Sequence, residues 1–242
     1  MKRRHRIFPS AIESVRVVFA LISVGAAMTL LAAADPVAPS PPEMGYTPLA
    51  PGTYRLERIQ RAADANLIDA SNRRVRLARL VTGKVTLLTF FYTYCTDAWG
   101  CPYAHRVMTQ LRVRLSAEPR VREQVRFVSI SFDPTHDTPE SLRLYAGKPG
   151  AQRDQLEWHF LTAPGMRTLT PLLEDFGQDV EIERDAAGNP TRTRNHMLKL
   201  FLIDRAGFVR EIYALDTLHP PQLANDVLTL VREVENGSVH KR

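Results

Sequence analysis

The feature that most constrains this chain is the stretch Val85–Met108, VTLLTFFYTYCTDAWGCPYAHRVM. It opens on an apolar, β-branched and aromatic run, Val85 to Tyr92, too short for an ordinary helix. Such a run reads as a strand buried on both faces, as in the middle of a parallel sheet. A polar loop follows that holds the only two cysteines, Cys95 and Cys101. Pro102 suits a first helical turn, where its missing N–H costs nothing. Tyr103, Val107, Leu111 and Leu115 then recur at four-residue spacing and predict a helical face. A strand, a dithiol loop and a helix in that order provide a scaffold for redox or metal chemistry.

The flanks say where such a dithiol operates. Met1–Arg6 is a cationic head, and Val17–Ala34 is an unbroken run without charge, 18 residues in all. That pair of features predicts either a membrane anchor or an export signal, the latter ending at the small residues Ala32–Ala34. The anchor reading gives an inner-membrane protein with a periplasmic domain, and the cleaved reading a free periplasmic one. The net charge of +6 is largely a property of this segment. Residues 1–34 hold five basic residues and one acidic, leaving 27 basic against 25 acidic elsewhere. With no basic stripe interleaved with aromatics, nucleic acid is excluded as a partner. Asp35–Gly52 carries six of the 17 prolines and predicts an extended spacer. The expected division is thus residues 1–34 as anchor or signal, 35–55 as Pro-rich linker and 56–242 as the folded domain.

Within that domain, Leu67–Val81 reads as a hairpin turning at Ser71-Asn72. Val125–Phe132 is a second buried strand, after which Asp137 or Thr138 caps a helix opening with Pro139 and Glu140. Trp158–Leu161 is a short strand, Met166–Phe176 an amphipathic helix, and Asp185–Asn195 a turn-rich polar insertion. His196–Ile203 is read as a strand, turned by Asp204–Gly207 into Phe208–Ala214, and Pro221–Glu235 closes the chain as a helix. The fold class expected is α/β: a thioredoxin-like layered sandwich, its central mixed sheet flanked by helices, with an N-terminal β-hairpin extension.

The reactive and metal-binding form of a cysteine is the thiolate. Cys101 precedes Pro102 at a helix N-terminus, where unpaired N–H groups favour negative charge. The pair can close an inert disulfide, bind a soft ion, or serve both in turn. Phe90, Phe91, Tyr92 and Met108 are read as core. His105, four residues after Cys101, shares its helical face. His136 reads as solvated, and His5, His159, His219 and His240 have no motif around them. Asp137 reads as a helix cap and Asp133 as a loop brace, since no nucleophile–base relay accompanies either.

Three motifs occur in fixed order: FFYTYC followed by CP, then SFDPTHDTPESL, then NHMLKLFLIDRAGFV. Over roughly Leu67–Glu235 they resemble the Sco/SenC family, membrane-tethered thioredoxin-fold proteins that bind copper and serve assembly of cytochrome c oxidase. The resemblance implies Cys95, Cys101 and His196 as metal ligands, copper as Cu(I) or Cu(II) as the ion, and an oxidase copper-binding subunit or another cuproenzyme as partner. Asp133 and Asp137 match the acidic positions of the family's DP…DTP loop. The family's cysteines are separated by three residues and these by five, Thr96–Gly100; two added residues cost little closure entropy. Asn195 stands where many members have an acidic residue. Two thiolates and an imidazole form a soft set suited to Cu(I), whereas a structural zinc site takes four protein ligands. The alternative is a thiol–disulfide oxidoreductase. Against it stand the long spacer and His196 in the place of the substrate-contacting cis-proline. A peroxidase of the same fold lacks its threonine-and-cysteine spacing.

Overall fold

The computed structural model describes residues 45–147 and 155–239. Its frame is an eight-stranded mixed sheet. In chain order the strands are β1 (Gln60–Arg61), β2 (Asn66–Asp69), β3 (Arg74–Arg76), β4 (Val85–Phe91), β5 (Val125–Ser131), β6 (Glu157–Thr162), β9 (Leu200–Ile203) and β10 (Phe208–Tyr213). They lie in the order β1-β10-β9-β4-β5-β6-β2-β3. The centre, β4-β5-β6, is parallel, and β9 joins β4 antiparallel.

Every residue of β4 is buried, as its continuous apolar run requires. Alternation sorts the side chains between two cores. Val85, Leu87, Val125, Phe127, Leu200 and Leu202 face one side, while Leu88, Phe90, Val128, Ile130, Phe201 and Ile203 face the other. Helices α2 (Cys101–Ser116) and α6 (Pro220–Val239) cover the first side; α4 (Pro139–Tyr145) and α5 (Met166–Asp175) cover the second. On α2, Tyr103, Val107, Met108, Leu111 and Leu115 are all buried. At about 1.5–3 kcal/mol each, that stripe contributes roughly 8–15 kcal/mol as an upper bound. The start of α2, and Cys101 with it, is therefore rigidly placed.

Several local expectations need correction. The β2–β3 hairpin forms, with Asn72 at φ 59° in its turn, but Leu77–Leu80 coils into a short helix, α1, instead of continuing the strand. Another short helix, α3 (Pro119–Gln124), precedes β5; it buries only Val121, too little for a periodic signal. The polar insertion supplies the turn and nearly all of the second strand of a hairpin, β8 (Pro190–His196), which pairs with β7 (Val180–Arg184) in a separate two-stranded sheet. His196 ends β8; it does not open the next strand, which starts at Leu200.

The apolar run Val17–Ala34 lies outside the described residues, and among those described no helix is long and apolar enough to cross a membrane. From Leu49 onward the end of the proline-rich stretch lies along α6. Asn225 donates to the Leu49 carbonyl at 2.9 Å, the Gly52 N–H donates to Thr229 at 2.9 Å, and the Tyr54 hydroxyl meets the Asp226 carboxylate.

Candidate metal centre

Three chain segments meet at one end of the sheet: the loop after β4, the start of α2, and the end of β8. The loop carries Cys95, which is partly exposed. It is closed by a turn in which the Gly100 N–H donates to the Asp97 carbonyl at 3.0 Å and Asp97 Oδ1 accepts the Trp99 N–H at 3.0 Å. Gly100 packs closely here: a Cβ at this position would lie 3.3 Å from Asp97 Oδ2 and 3.4 Å from Cys95 Sγ. Cys101 opens α2 and is buried at 4% exposure. Both cysteines are free thiols.

The structure brings Cys101 and His196 together, with Sγ and Nε2 3.6 Å apart. His196 Nδ1 lies 2.9 Å from the Arg194 carbonyl oxygen, which can only accept, so Nδ1 carries the proton. In the neutral ring Nε2 then offers its lone pair toward the sulfur. The imidazole packs on Phe132 at 4.7 Å and edge-on to Tyr92 at 6.0 Å. Metal–sulfur and metal–nitrogen bonds of about 2.3 and 2.0 Å place such a pair about 3.5 Å apart in tetrahedral geometry. The observed separation therefore fits a shared ion. Among the described residues no group of three or more His, Cys, Asp and Glu side chains is disposed to hold a metal as it stands. Cys95 lies beside that pair, hydrogen-bonded with Cys101.

The two sulfurs share one proton unequally. A hydrogen bond from the Cys101 thiol, opposed by burial and aided by the Cys101 and Asp97 backbone N–H groups, lowers Cys95 to about 6. Cys101, hydrogen-bonded to Cys95 and desolvated, is pushed far up. The sequence pointed to Cys101 as the favoured thiolate because of its helix terminus. The lowered group is instead Cys95, which accepts hydrogen bonds from the Cys101 thiol, from the Cys101 N–H at the helix start and from the Asp97 N–H of the loop. Desolvation raises Tyr92 to about 12; its hydroxyl bonds Cys95 and accepts the Arg194 N–H at 3.4 Å.

The acidic pair is split. Asp133 Oδ2, largely buried, pairs with Arg194 Nη2 at 3.2 Å and with His136 Nδ1 at 2.9 Å. Asp137 is not a helix cap; Thr138 caps α4 by accepting the Ser141 N–H at 3.2 Å. Asp137, 1% exposed, instead accepts from Thr93 and Ser131. His105 is held by aromatics, stacked on Trp158 at 4.9 Å and edge-on to Tyr145 at 5.2 Å, with burial lowering its pKa. His219 is buried beside Tyr46, and His159 lies 3.6 Å from Glu157. His5 and His240 lie outside the described residues. Sequence reasoning missed Arg194, although its spacing of two from His196 puts both on one face of β8. Beside the site runs a cleft of about 800 Å³ lined by His196, Met197, Leu198 and Leu215 and, from the five-residue spacer, Trp99.

The SCO1/SenC family model matches residues 57–232. No curated protein sequence matches the chain. Among solved structures, ScoI of Bradyrhizobium japonicum with copper bound is 22% identical, with a TM-score of 0.54 over 69% of this chain and 96% of that one. Apo Sco1 of Thermus thermophilus is 21% identical, with a TM-score of 0.56 over 76% of this chain and 98% of its own. A SCO1/SenC family lipoprotein of Bacillus anthracis is 24% identical, with a TM-score of 0.54 over 78% and 99%. These neighbours share the thioredoxin-like layering expected from the order of strands and helices. With the family model spanning most of the folded part, the chain is a member of the SCO1/SenC family.

Proposed function

We propose that this chain binds copper through Cys95, Cys101 and His196 and stages it for the copper site of a respiratory oxidase, or of another cuproenzyme, on the outer side of the membrane. The observation that carries the reading is the 3.6 Å approach of Cys101 Sγ to a histidine nitrogen whose other nitrogen is tied to a carbonyl. Cys95 completes a soft donor set beside them. Copper is cargo here: relatives in the family include Sco proteins solved with copper bound. The partly exposed position of Cys95 gives a receiving protein access to the ion. The cationic head and apolar run at the N-terminus supply the export signal or tether that the location requires.

The test is retention of metal. Reduced full-length protein mixed with Cu(I) and desalted should hold about one ion per chain, as expected of one soft site. Cys95→Ser should abolish retention. Equal retention by wild type and variant would remove the proposed ligands.

One observation favours a second reading, a thiol–disulfide oxidoreductase: the dithiol is asymmetric, with an accessible low-pKa Cys95 and a buried, protonated Cys101. An attacking and a resolving thiol have that arrangement. The relative described as having a disulfide switch, BsSco, is consistent with such chemistry in the family. Loss of thiols after incubation with an oxidised partner peptide, in equal amount to thiols gained by the peptide, would establish it.

A further inference from the structure

His196 is mounted on a hairpin that takes no part in the eight-stranded sheet. An isolated two-stranded hairpin is marginal in water, so what its inward side chains grip determines how it sits. Residues two apart on a strand share a face, which groups Arg192, Arg194 and His196. Each of the three meets a different part of the domain. The Arg192 guanidinium lies 4.1 Å from the Tyr94 ring, Arg194 Nη2 lies 3.2 Å from Asp133 Oδ2, and His196 Nε2 lies 3.6 Å from Cys101 Sγ. The Arg194 contact is the strong one. Its side chain and that of Asp133 are 11% and 6% exposed, so the pair is desolvated and neither member tolerates loss of the other. Asp133 is itself fixed, since His136 Nδ1 shares its carboxylate at 2.9 Å and its own N–H donates to Ser131 Oγ at 3.0 Å.

The Arg194 backbone completes the link. Its carbonyl takes the His196 Nδ1 proton at 2.9 Å and its N–H donates to the Tyr92 hydroxyl at 3.4 Å. A partner on one ring nitrogen fixes both the tautomer and the ring direction, leaving the other nitrogen free to ligate. We infer that Asp133 and Arg194 together form a positioning unit for His196: their buried ion pair pins the end of β8 so that the Arg194 carbonyl holds the Nδ1–H tautomer and aims Nε2 at the dithiol. The inference rests on the reading of His196 as the nitrogen donor. A mere brace for the hairpin would affect stability and leave the ring's protonation pattern unchanged.

The experiment uses the full-length chain with ¹⁵N-labelled histidine, copper-free, at a pH where imidazole is neutral. Ring-nitrogen NMR reports the tautomer, and His196→Gln identifies the His196 signals. In wild type His196 should be the Nδ1–H form; Arg194→Gln and Asp133→Asn should shift it to a mixture of the two. The same variants should lose about 10- to 100-fold in Cu(II) affinity, the range seen when a ligand's outer partner is removed. Cu(I) affinity, which two thiolates can sustain, should change less than about threefold. Arg194→Lys, which keeps the charge, should recover part of the Cu(II) affinity. The inference is overturned if His196 stays Nδ1–H in both variants, or if Cu(I) and Cu(II) affinities fall together. Failure of both variants to fold also overturns it, in favour of a structural brace. The NMR arm needs no metal, so a chain that binds no copper would sink the ligand assignment while the positioning result still stands or falls by itself.

Discussion

The Asp137 carboxylate reaches from the loop after β5 to the loop after β4, accepting the Thr93 N–H at 3.0 Å two residues before Cys95. It is 1% exposed and also accepts the Ser131 hydroxyl. A buried carboxylate with several donors leaves all of them unpaired when it is removed. We therefore expect Asp137→Ala to cost about 2–3 kcal/mol, with hydrogen bonds to charged groups as the measure. Thermal unfolding should move down by about 5–10 °C for a domain of this size. Cu(I) retention should weaken in parallel, because the same bonds hold the start of the Cys95 loop. An unchanged melting temperature would refute the expectation.

His196→Ala separates the two oxidation states of copper. Two thiolates hold Cu(I) in a linear arrangement, while Cu(II) prefers a tetragonal site with nitrogen. Cu(I) affinity should fall modestly, and the thiolate-to-Cu(II) charge-transfer absorption should nearly vanish. The variant should remain folded at a cost of about 1 kcal/mol, since the ring is half-buried against Phe132 and Tyr92. A full Cu(II) spectrum in the variant would shift the nitrogen donor to another histidine, His105 first.

Alkylation should distinguish the thiols. With Cys95 lowered to about 6 and Cys101 raised, iodoacetamide at pH 7 should label Cys95 first. The rate should rise with pH through about 6 and then level off, since the thiolate is the nucleophile. In Cys95→Ser the remaining thiol should react slowly, because Cys101 stays 4% exposed. Peptide mapping after partial labelling reads the order directly; labelling of Cys101 first would reverse the assignment.

The strap along α6 should make the fold sensitive to alkali. Burial and the neighbouring Asp226 raise Tyr54 to about 12, and they raise Tyr213 well above its usual 10. A tyrosine whose folded pKa is raised contributes its full share of stability below the unfolded pKa, near 10. That share is lost as pH climbs through the folded value. Denaturant midpoints should thus be steady to about pH 10 and fall between about 10 and 12. Tyr213→Phe should flatten the decline; an equally steep decline in the variant would place its source elsewhere.

The sequence was informative where burial imposes a pattern. β4, α2 and β5 were legible because their residues are apolar at strand or helix period and pack on the sheet from both sides. The hairpin β7–β8 was not, because most of its residues are exposed, β8 has no apolar side chain after Pro190, and in β7 only Val180 and Ile182 alternate with glutamates. That gap displaced His196, whose neighbours Met197-Leu198-Lys199 look like strand yet lie outside the ladder that begins at Leu200. The triplet of proposed ligands came from motif order. Their chemistry did not: the Cys95 sulfur meets the Cys101 thiol, the Cys101 N–H and the Asp97 N–H only in three dimensions. Asp137 has a cap's spacing from α4, but burial and the Thr93 contact decide its role. Nothing local in the sequence pairs Asp133 with Arg194, sixty-one positions away by number.

The hairpin's register shifts between Ile182 and Arg184, while Val180 stays opposite His196. An insertion or deletion in the Asp185–Asn189 turn can thus be absorbed at this irregularity before it reaches the ladder's far end. A one-residue slip at His196 would turn the ring to the opposite face. A longer, shorter or differently decorated tip is therefore compatible with the same facing of the imidazole. Within this arm, the tip can change while the imidazole keeps its facing.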